Sequence, residues 1–486
     1  MTDVACGAGA GSMVGDASAA ERERTARSEL KGWAMLAIGS LAIAGVFAFM
    51  LAVSRLPGIE RVLPWPVGFF AKGLVIHVIF SLVVWFLATF ALIVSIATFE
   101  TSGSEPRLAS LGSIGLHLVA ISFPCLFAPA FFDDSVASLN NYIPVIVHRS
   151  YYFGLTLLAL GIAFPAIRLL ANVLSLQLGN IGPLPLAMSA GAVIYFIALI
   201  CIALALQLSW GSEPVRTFHE HLFWGGGHVL QFLYALLMLT GWFILLRSSL
   251  GEKSFDTDVF RLAVVLLAVF TLPGLAFYKI FEPFSALQTE AFRRLQFVVA
   301  LPSLIVAVGS LSGVLAARRR GALPWHDPGF LALILSPIVF GAGGIMGLLI
   351  TGSDTRTPAH YHGVIAGVNL ALMGLFLTYC LPALGRSVVP SRAIRAQILL
   401  FGVGQFVACL GLFLAGGYGA PRKTPTGAGS LVDGAVTGMY LHGIGALIAI
   451  IGGVMFVVTV WRSLMRRERD VAPPTRDASV RVAARG

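Results

Sequence analysis

Residues 360–386, HYHGVIAGVNLALMGLFLTYCLPALGR, form an apolar stretch that has no acidic or strongly basic side chain before Arg386. A helix needs about 20 mainly apolar residues to cross the hydrocarbon core of a bilayer. Because that core holds no water to satisfy the backbone, a single span of this kind must be helical. The stretch therefore predicts a membrane-spanning helix with two histidines at its beginning.

Eleven further stretches share this apolar character. Only 12% of the 486 residues are charged and 57% are hydrophobic, whereas about a quarter of the residues in a soluble domain are charged. We therefore predict an all-α integral membrane protein with twelve transmembrane helices. The predicted spans are 30–52, 68–97, 108–132, 146–172, 184–208, 220–246, 259–282, 292–317, 329–351, 360–386, 396–416 and 438–463.

The ends of the chain differ from the spans in composition. Residues 1–29 predict a cytoplasmic N-terminal tail, residues 30–465 one twelve-helix domain, and residues 466–486 a basic, disordered cytoplasmic tail. Lysine and arginine are more frequent on the side of the two tails, which the positive-inside rule assigns to the cytoplasm. We expect a multi-pass protein of a bacterial-type inner membrane with both termini cytoplasmic. The net charge of +10 follows this topology and indicates no nucleic-acid partner.

Four histidines lie near the outer ends of three predicted spans. His77 and His228 are roughly 12 Å below those ends at a rise of about 1.5 Å per residue, and His360 and His362 are shallower. Residues i and i+2 of a helix point about 200° apart, so His360 and His362 can serve two metals but cannot share one. Imidazole is a common axial ligand of haem iron. Two haems are one interpretation; the alternative is that each histidine is a structural residue bonded to a carbonyl.

Two motifs around these histidines resemble the catalytic subunit I of the haem–copper oxidases. The run 221–228, HLFWGGGH, is similar to the helix that brings a copper-ligating histidine to the active site of that family. The run 358–364, PAHYHGV, is similar to its two-haem helix. The resemblance extends from about residue 68 to residue 463 and implies a bundle of the subunit I type.

The resemblance implies a role for each histidine and for one loop. His360 would bind the iron of a high-spin haem, and His77 and His362 would bind the iron of a low-spin haem. The run 419–423, GAPRK, resembles the family's loop whose cations pair with haem propionates, which implies that role for Arg422 and Lys423. Because the chain has no C-x-x-C-H motif, we expect non-covalent haems; the haem type stays open.

The predicted distal pocket departs from the family. Where the family has an adjacent pair of copper-ligating histidines, this chain has Tyr278 and Lys279. One imidazole cannot hold copper alone, so a family-type copper site is not expected. His228 stays a candidate ligand for copper or a non-haem metal, with Tyr278 and Glu282 as further ligands. Tyr278 and Lys279 are also candidate catalytic groups, since a hydroxyl or a cation can supply a proton or stabilise an anionic oxygen.

Two functions follow from this pattern. The first is a membrane oxidoreductase that passes electrons from the low-spin to the high-spin haem and reduces oxygen or nitric oxide. The second is a non-catalytic haem-bearing subunit that carries electrons or senses a gas. For either function we expect a membrane-anchored cytochrome or a quinol as electron donor, small partner subunits and a small gas as ligand.

Overall fold

The computed structural model describes residues 8–54, 67–102, 105–211, 216–422 and 431–466. Within these ranges, twelve helical stretches are long and apolar enough to cross a membrane, which confirms the predicted number. The stretches are Glu23–Ser54, Phe70–Ser102, Ser110–Phe131, Arg149–Val173, Pro183–Leu208, Arg216–Leu250, Thr257–Ile280, Ala286–Arg320, Pro328–Leu348, Arg356–Ala383, Arg392–Gly417 and Asp433–Met465.

Several spans consist of more than one helical element. Two contain a π-helical turn, Ile79–Val84 and Phe376–Cys380, a feature that is frequent near functional sites. The α-helices in chain order are α1 Ala8–Ser54, α2 Val67–Val78, α3 Trp85–Ser102, α4 Ser110–Phe127, α5 Arg149–Val173, α6 Pro183–Leu208, α7 Arg216–Leu250, α8 Thr257–Val269, α9 Pro273–Ile280, α10 Ala286–Leu295, α11 Ala300–Arg320, α12 Pro328–Leu348, α13 Arg356–Leu375, α14 Leu381–Ala383, α15 Arg392–Gly417 and α16 Asp433–Met465.

Short polar side chains fix the beginnings of several helices. The Asp327 carboxylate accepts a hydrogen bond from the backbone of Gly329 at the start of α12, and proline occupies the first helical position. Ser391 caps α15 in the same way. These residues satisfy backbone N–H groups that have no partner inside the helix, so α12 and α15 begin at defined residues.

The first helix begins earlier than the sequence predicts. Residues 1–29 are predicted as a tail, whereas α1 extends from Ala8. The predicted C-terminal tail lies almost wholly outside the described residues, which end at Arg466. There, Arg386 donates hydrogen bonds to the carbonyls of Ser463 at 2.7 Å and Arg466 at 2.8 Å. The guanidinium thereby caps the end of the last helix.

A buried ion pair joins three spans at the opposite end from the histidines. The Arg168 guanidinium donates to both carboxylate oxygens of Glu29, at 2.8 and 2.5 Å, and to the hydroxyl of Ser95. Only 1% of the Arg168 side chain and 8% of the Glu29 side chain are exposed. Charges in an apolar interior are expensive unless paired, so this contact fixes α1, α3 and α5 together.

Small residues let the last two spans approach each other closely. A side chain on Gly411 would lie 2.3 Å from the backbone nitrogen of His442, and one on Gly445 equally close to that of Ala408. Helices in lipid gain contact energy when small residues allow their backbones to meet. Helices α15 and α16 therefore pack backbone to backbone.

A small β-hairpin, which the sequence analysis did not predict, lies between α4 and α5. Its strands β1 Val136–Ser138 and β2 Val145–Val147 pair antiparallel, with Val136 opposite Val147. Hydrogen bonds connect this loop to others on the same side of the bundle, because Asn141 bonds to both Glu220 and Arg422. We call this side the histidine side, since α2, α7 and α13 carry their histidines toward it.

Candidate haem and distal site

The orientation of His360 depends on the close approach of α12 and α13. A side chain on Gly343 would lie 2.5 Å from the backbone nitrogen of Val364, and one on Gly347 would lie 2.5 Å from the His360 ring. The glycines thus let the imidazole pack against α12, where its Nδ1 lies 2.8 Å from the carbonyl oxygen of Gly343. A carbonyl only accepts, so Nδ1 carries the proton and Nε2 presents its lone pair.

His77 is held in a comparable way by the first span. Its Nδ1 lies 3.0 Å from the carbonyl oxygen of Ala44 on α1, and the ring is half-buried. The π-helical turn that begins at Ile79 follows directly. An imidazole whose Nδ1–H is bonded to a carbonyl has a fixed tautomer and ring plane, which is the usual arrangement of metal-bound histidine. His77 and His360 therefore both have the donor chemistry of an axial ligand.

His362 lies two residues beyond His360 on α13. Its half-buried imidazole stacks on the ring of Tyr361, with the centroids 5.3 Å apart. The same helix is joined to α3 by a hydrogen bond of 2.8 Å from the indole of Trp85 to Asn369. Since α3 continues the span of α2, this bond ties the helix that carries His362 to the span that carries His77.

His228 is almost fully buried, and both of its ring nitrogens have partners. Nδ1 lies 2.6 Å from the carbonyl oxygen of Trp224, one turn earlier on α7, and Nε2 lies 2.7 Å from the hydroxyl of Tyr142. Because the carbonyl only accepts, Nδ1–H donates to Trp224 and the Tyr142 hydroxyl donates to Nε2. The nitrogen that a metal would need is thus already a hydrogen-bond acceptor.

Tyr142 belongs to the loop between β1 and β2, and its contact with His228 was not predicted from the sequence. The side chain of Asn140 bonds to the backbone of Tyr142 and Ile143 and shapes this turn. Gly227 leaves room for the Tyr142 side chain, since a side chain on Gly227 would come within 2.5 Å of the Tyr142 Cβ and within 2.6 Å of its ring. Burial, followed by the charge of Glu220, raises the pKa of Tyr142 well above its ordinary value, so the hydroxyl stays protonated and can donate.

Tyr278 and Lys279 differ sharply in their surroundings. The Tyr278 ring packs on Phe292 at 5.6 Å, and Phe292 in turn lies 6.0 Å from the imidazole of His228. The side chains of Lys279 and Glu282 are exposed. The structure thus brings only Tyr278 of these three toward His228, with a phenylalanine contacting both. Among the described residues, no group of three or more histidine, cysteine, aspartate or glutamate side chains is arranged to hold a metal ion.

The loop that contains Arg422 is fastened to the beginning of α13. The backbone N–H of Thr355 donates to the carbonyl of Ala420 at 3.0 Å, and Asp354 forms a β-bridge with Pro421. The half-buried Arg422 donates to the side chain of Asn141. This attachment puts Arg422 on the histidine side near the helix of His360. Lys423 lies outside the described residues.

Two of the remaining histidines have structural partners. The ring of His219 bonds to Ser138 at 2.9 Å and to Tyr152 at 2.9 Å, and so joins the hairpin, α5 and α7. His442 bonds to the carbonyl of Ala408 between the last two spans. These contacts give both residues a structural role between neighbouring elements.

Comparison with known proteins places the chain in a family. The family model described as Cytochrome C and Quinol oxidase polypeptide I matches residues 30–455. The chain belongs to this family. Membership confirms the resemblance noted in the sequence and the all-α membrane fold, and it supports haem as the kind of cofactor. The number of haems, their type and the status of copper are separate questions.

Individual relatives of this family member span most of the chain. An uncharacterized protein of Rickettsia prowazekii is 26% identical over 87% of this chain and 94% of its own length. An uncharacterized protein of Aquifex aeolicus is 29% identical over 71% of this chain and 83% of its own. Cytochrome c oxidase subunit 1 of Thermus thermophilus is 24% identical, over 86% of this chain and 80% of its own.

Proposed function

We propose that the chain is a membrane oxidoreductase that uses two haems to reduce oxygen or nitric oxide. The observation that carries this proposal is the hydrogen bond from His360 to Gly343, which fixes the imidazole with Nε2 available to an iron. Nδ1 of His77 lies at a similar hydrogen-bond distance from the carbonyl oxygen of Ala44. In this account His360 holds a high-spin haem, and His77 and His362 hold a low-spin haem.

The histidines of α2 and α13 fit haem by their donor chemistry. Haem supplies reversible one-electron chemistry at its iron and, where the protein gives one axial ligand, an open face for a gas. Histidines with fixed tautomers are suitable axial ligands. Arg422 on the histidine side is suited to a propionate, with which it would form a charge-assisted hydrogen bond. We propose the same role for Lys423 on the basis of the motif alone.

The distal pocket supports a reaction without copper. Nε2 of His228 accepts a hydrogen bond from Tyr142, and the positions of the family's histidine pair hold a tyrosine and an exposed lysine. A metal at His228 would have to displace the Tyr142 hydroxyl. We therefore propose that Tyr142, His228 and Tyr278 provide hydrogen bonds and protons at the gas-binding face, and that Lys279 lies outside it.

A second candidate function uses the same haem ligands without catalysis. Nε2 of His228 already accepts a hydrogen bond, and α9 contains no histidine. Both features favour a subunit that carries electrons or senses a gas. Both functions require a donor, for which we propose a membrane-anchored cytochrome or a quinol, and both suit an inner membrane with cytoplasmic termini. Small partner subunits would complete the assembly.

Metal analysis and turnover separate these alternatives. Purified protein should contain two irons per chain and no stoichiometric copper, and its reduced spectrum should show that one of two haems binds carbon monoxide. Oxygen or nitric oxide should then be consumed with a reduced donor. Stoichiometric copper would contradict the proposed distal site, and a haem-loaded protein that consumes neither gas would favour the carrier or sensor.

A further inference from the structure

A small aromatic cavity opens on the histidine side between α7, α9 and α10. It has a volume of about 110 Å³. Most of its wall is aromatic, and one acidic side chain lines it. Its lining includes Glu220, His221, Trp224, Tyr278, Phe284 and Phe292. We call this space the aromatic cavity.

The aromatic walls are held in place by hydrogen bonds and by an unusual backbone. The Trp224 indole donates to the carbonyl of Thr289 at 3.2 Å. Phe284 has a φ of 61°, a region that bulky residues avoid, and its N–H donates to the buried side chain of Gln288 at 2.7 Å. In this conformation the Phe284 ring stacks on the imidazole of His221, with centroids 4.3 Å apart and planes 3° apart.

The Glu220 carboxylate in the aromatic cavity can accept a further hydrogen bond. One Glu220 oxygen accepts from the side chain of Asn141 at 2.5 Å, and the other makes no hydrogen bond within the described ranges. The carboxylate lines the cavity together with several aromatic side chains, and aromatic faces attract cations. A carboxylate among aromatic side chains is suited to an ammonium group.

An open cleft of about 440 Å³ adjoins the aromatic cavity and shares Glu220 and His221 with it. Its other lining residues are Asn141, Arg216 and Thr217. Arg216 is exposed, and Arg422 lies against Asn141. Guanidinium and hydroxyl groups are suited to phosphate. A cation site and an anion site are thus adjacent, with the cation site deeper.

Apolar side chains flank the cavity where one span ends and the next begins. Ile280 and Leu287, on either side of the segment that contains Phe284, are 67% and 70% exposed. Ile280 is the last residue of one candidate span, and Leu287 lies at the start of the next. A ligand with hydrocarbon chains could lie along these residues while its polar end enters the cleft, which favours a lipid over a water-soluble compound.

We propose that the aromatic cavity and its cleft bind the headgroup of a zwitterionic phospholipid. The ammonium group enters the aromatic cavity against Glu220, Trp224 and Phe292, and the phosphate lies in the cleft at Arg216. The acyl chains follow Ile280 and Leu287. The chemical group that the site recognises is an aminoalkyl phosphate. The site is separate from the proposed haem ligands and from Lys279.

Binding of short-chain lipids to the purified full-length protein tests this site, with native mass spectrometry as readout. Dihexanoylphosphatidylethanolamine should bind at least tenfold more tightly than dihexanoylphosphatidylglycerol, which has the phosphate and lacks the ammonium. Equal binding of these two lipids would overturn the proposal. Soluble phosphoethanolamine should bind at least tenfold more weakly than the lipid; equal affinity would overturn the lipid as the source.

Three substitutions and two matched controls locate the site. Glu220→Gln keeps an acceptor for Asn141 and removes the charge, so binding of the ethanolamine lipid should fall roughly tenfold. Arg216→Gln should weaken both lipids, whereas Glu252→Gln and Arg319→Gln, exposed charges elsewhere, should leave affinity unchanged. Tyr278→Phe keeps the ring and should also bind normally. A loss in Tyr278→Phe as large as in Glu220→Gln, or no loss in Glu220→Gln, would overturn the proposal.

Discussion

The hydroxyl of Tyr142, from the loop between α4 and α5, lies 2.7 Å from Nε2 of His228 on α7. With Nδ1 bonded to Trp224, the imidazole has a donor on one side and an acceptor on the other. This pairing keeps a buried histidine neutral and oriented without a metal. It also makes the polar loop part of the proposed distal site.

Tyr142→Phe should destabilise the protein, because it leaves Nε2 of His228 buried without a donor. A lost partner of this kind costs about 1–3 kcal/mol, measurable as a lower midpoint of thermal unfolding in detergent. Tyr440→Phe removes an exposed hydroxyl and is the control. An unchanged midpoint in Tyr142→Phe would show that this hydrogen bond does not stabilise the protein.

Glu29→Gln should be among the most damaging single changes outside the haem region. It leaves the Arg168 cation buried among α1, α3 and α5, and breaking a buried pair costs about 3–5 kcal/mol. Glu23→Gln is a matched control on the same helix, because its ion pair with Arg27 is exposed and surface pairs contribute about 0–1 kcal/mol. Similar unfolding midpoints for both variants would contradict this role of Arg168.

The ion pair at the beginning of α13 predicts a specific acid dependence. Hydrogen bonds from Arg356 hold the pKa of Asp354 below its usual value. A lowered folded-state pKa means that this stabilisation is present above the ordinary carboxyl pKa and is lost as pH falls through the lowered one. Asp354→Asn should therefore be less stable than the wild type at pH 6, and the difference should shrink only in strong acid. If Asp354→Asn and the wild type were equally stable at pH 6, the ion pair between Asp354 and Arg356 would not contribute to stability.

The close approach of α15 and α16 predicts opposite effects of two glycine substitutions. Gly411→Ala puts a methyl group against the backbone of α16, and overpacking of this kind costs about 1–3 kcal/mol. Gly417→Ala, at the end of the same helix, has open space around it and should be neutral or slightly stabilising. The unfolding midpoints of the two variants measure this contrast. If Gly411→Ala were also neutral, the helices would not pack as described.

The sequence predicted the spans well because lipid imposes one requirement on every one of them. Runs of about 20 apolar residues have to be helical in a bilayer, and the twelve runs correspond to the twelve helical stretches found among the described residues. The motif residues could be recognised as candidates because His360 and His362 stand two positions apart in a pattern that resembles the family's. The pattern could not predict the hydrogen-bond partners of the His360 and His77 rings. These partners are the backbone carbonyls of Gly343 and Ala44, which lie on other helices.

The distal pocket was predicted less completely, for a geometrical reason. Adjacent residues on a helix point about 100° apart, so Tyr278 and Lys279 could not both face His228; the structure exposes Lys279. Tyr142 was missed because nothing in a short polar loop shows which buried group it will contact. The only local signal was Asn140, a residue type that shapes turns.

The most direct test of the account compares haem binding in two neighbouring variants, His360→Ala and His362→Ala. We propose that these two imidazoles bind different haems. Reduced optical spectra with and without carbon monoxide, together with iron per chain, measure each haem separately, and His117→Ala, at an exposed histidine, is the control. We predict that His362→Ala loses only the low-spin signal and His360→Ala only the carbon monoxide response. Loss of both signals in either variant, or of neither, in protein that remains folded would contradict the account.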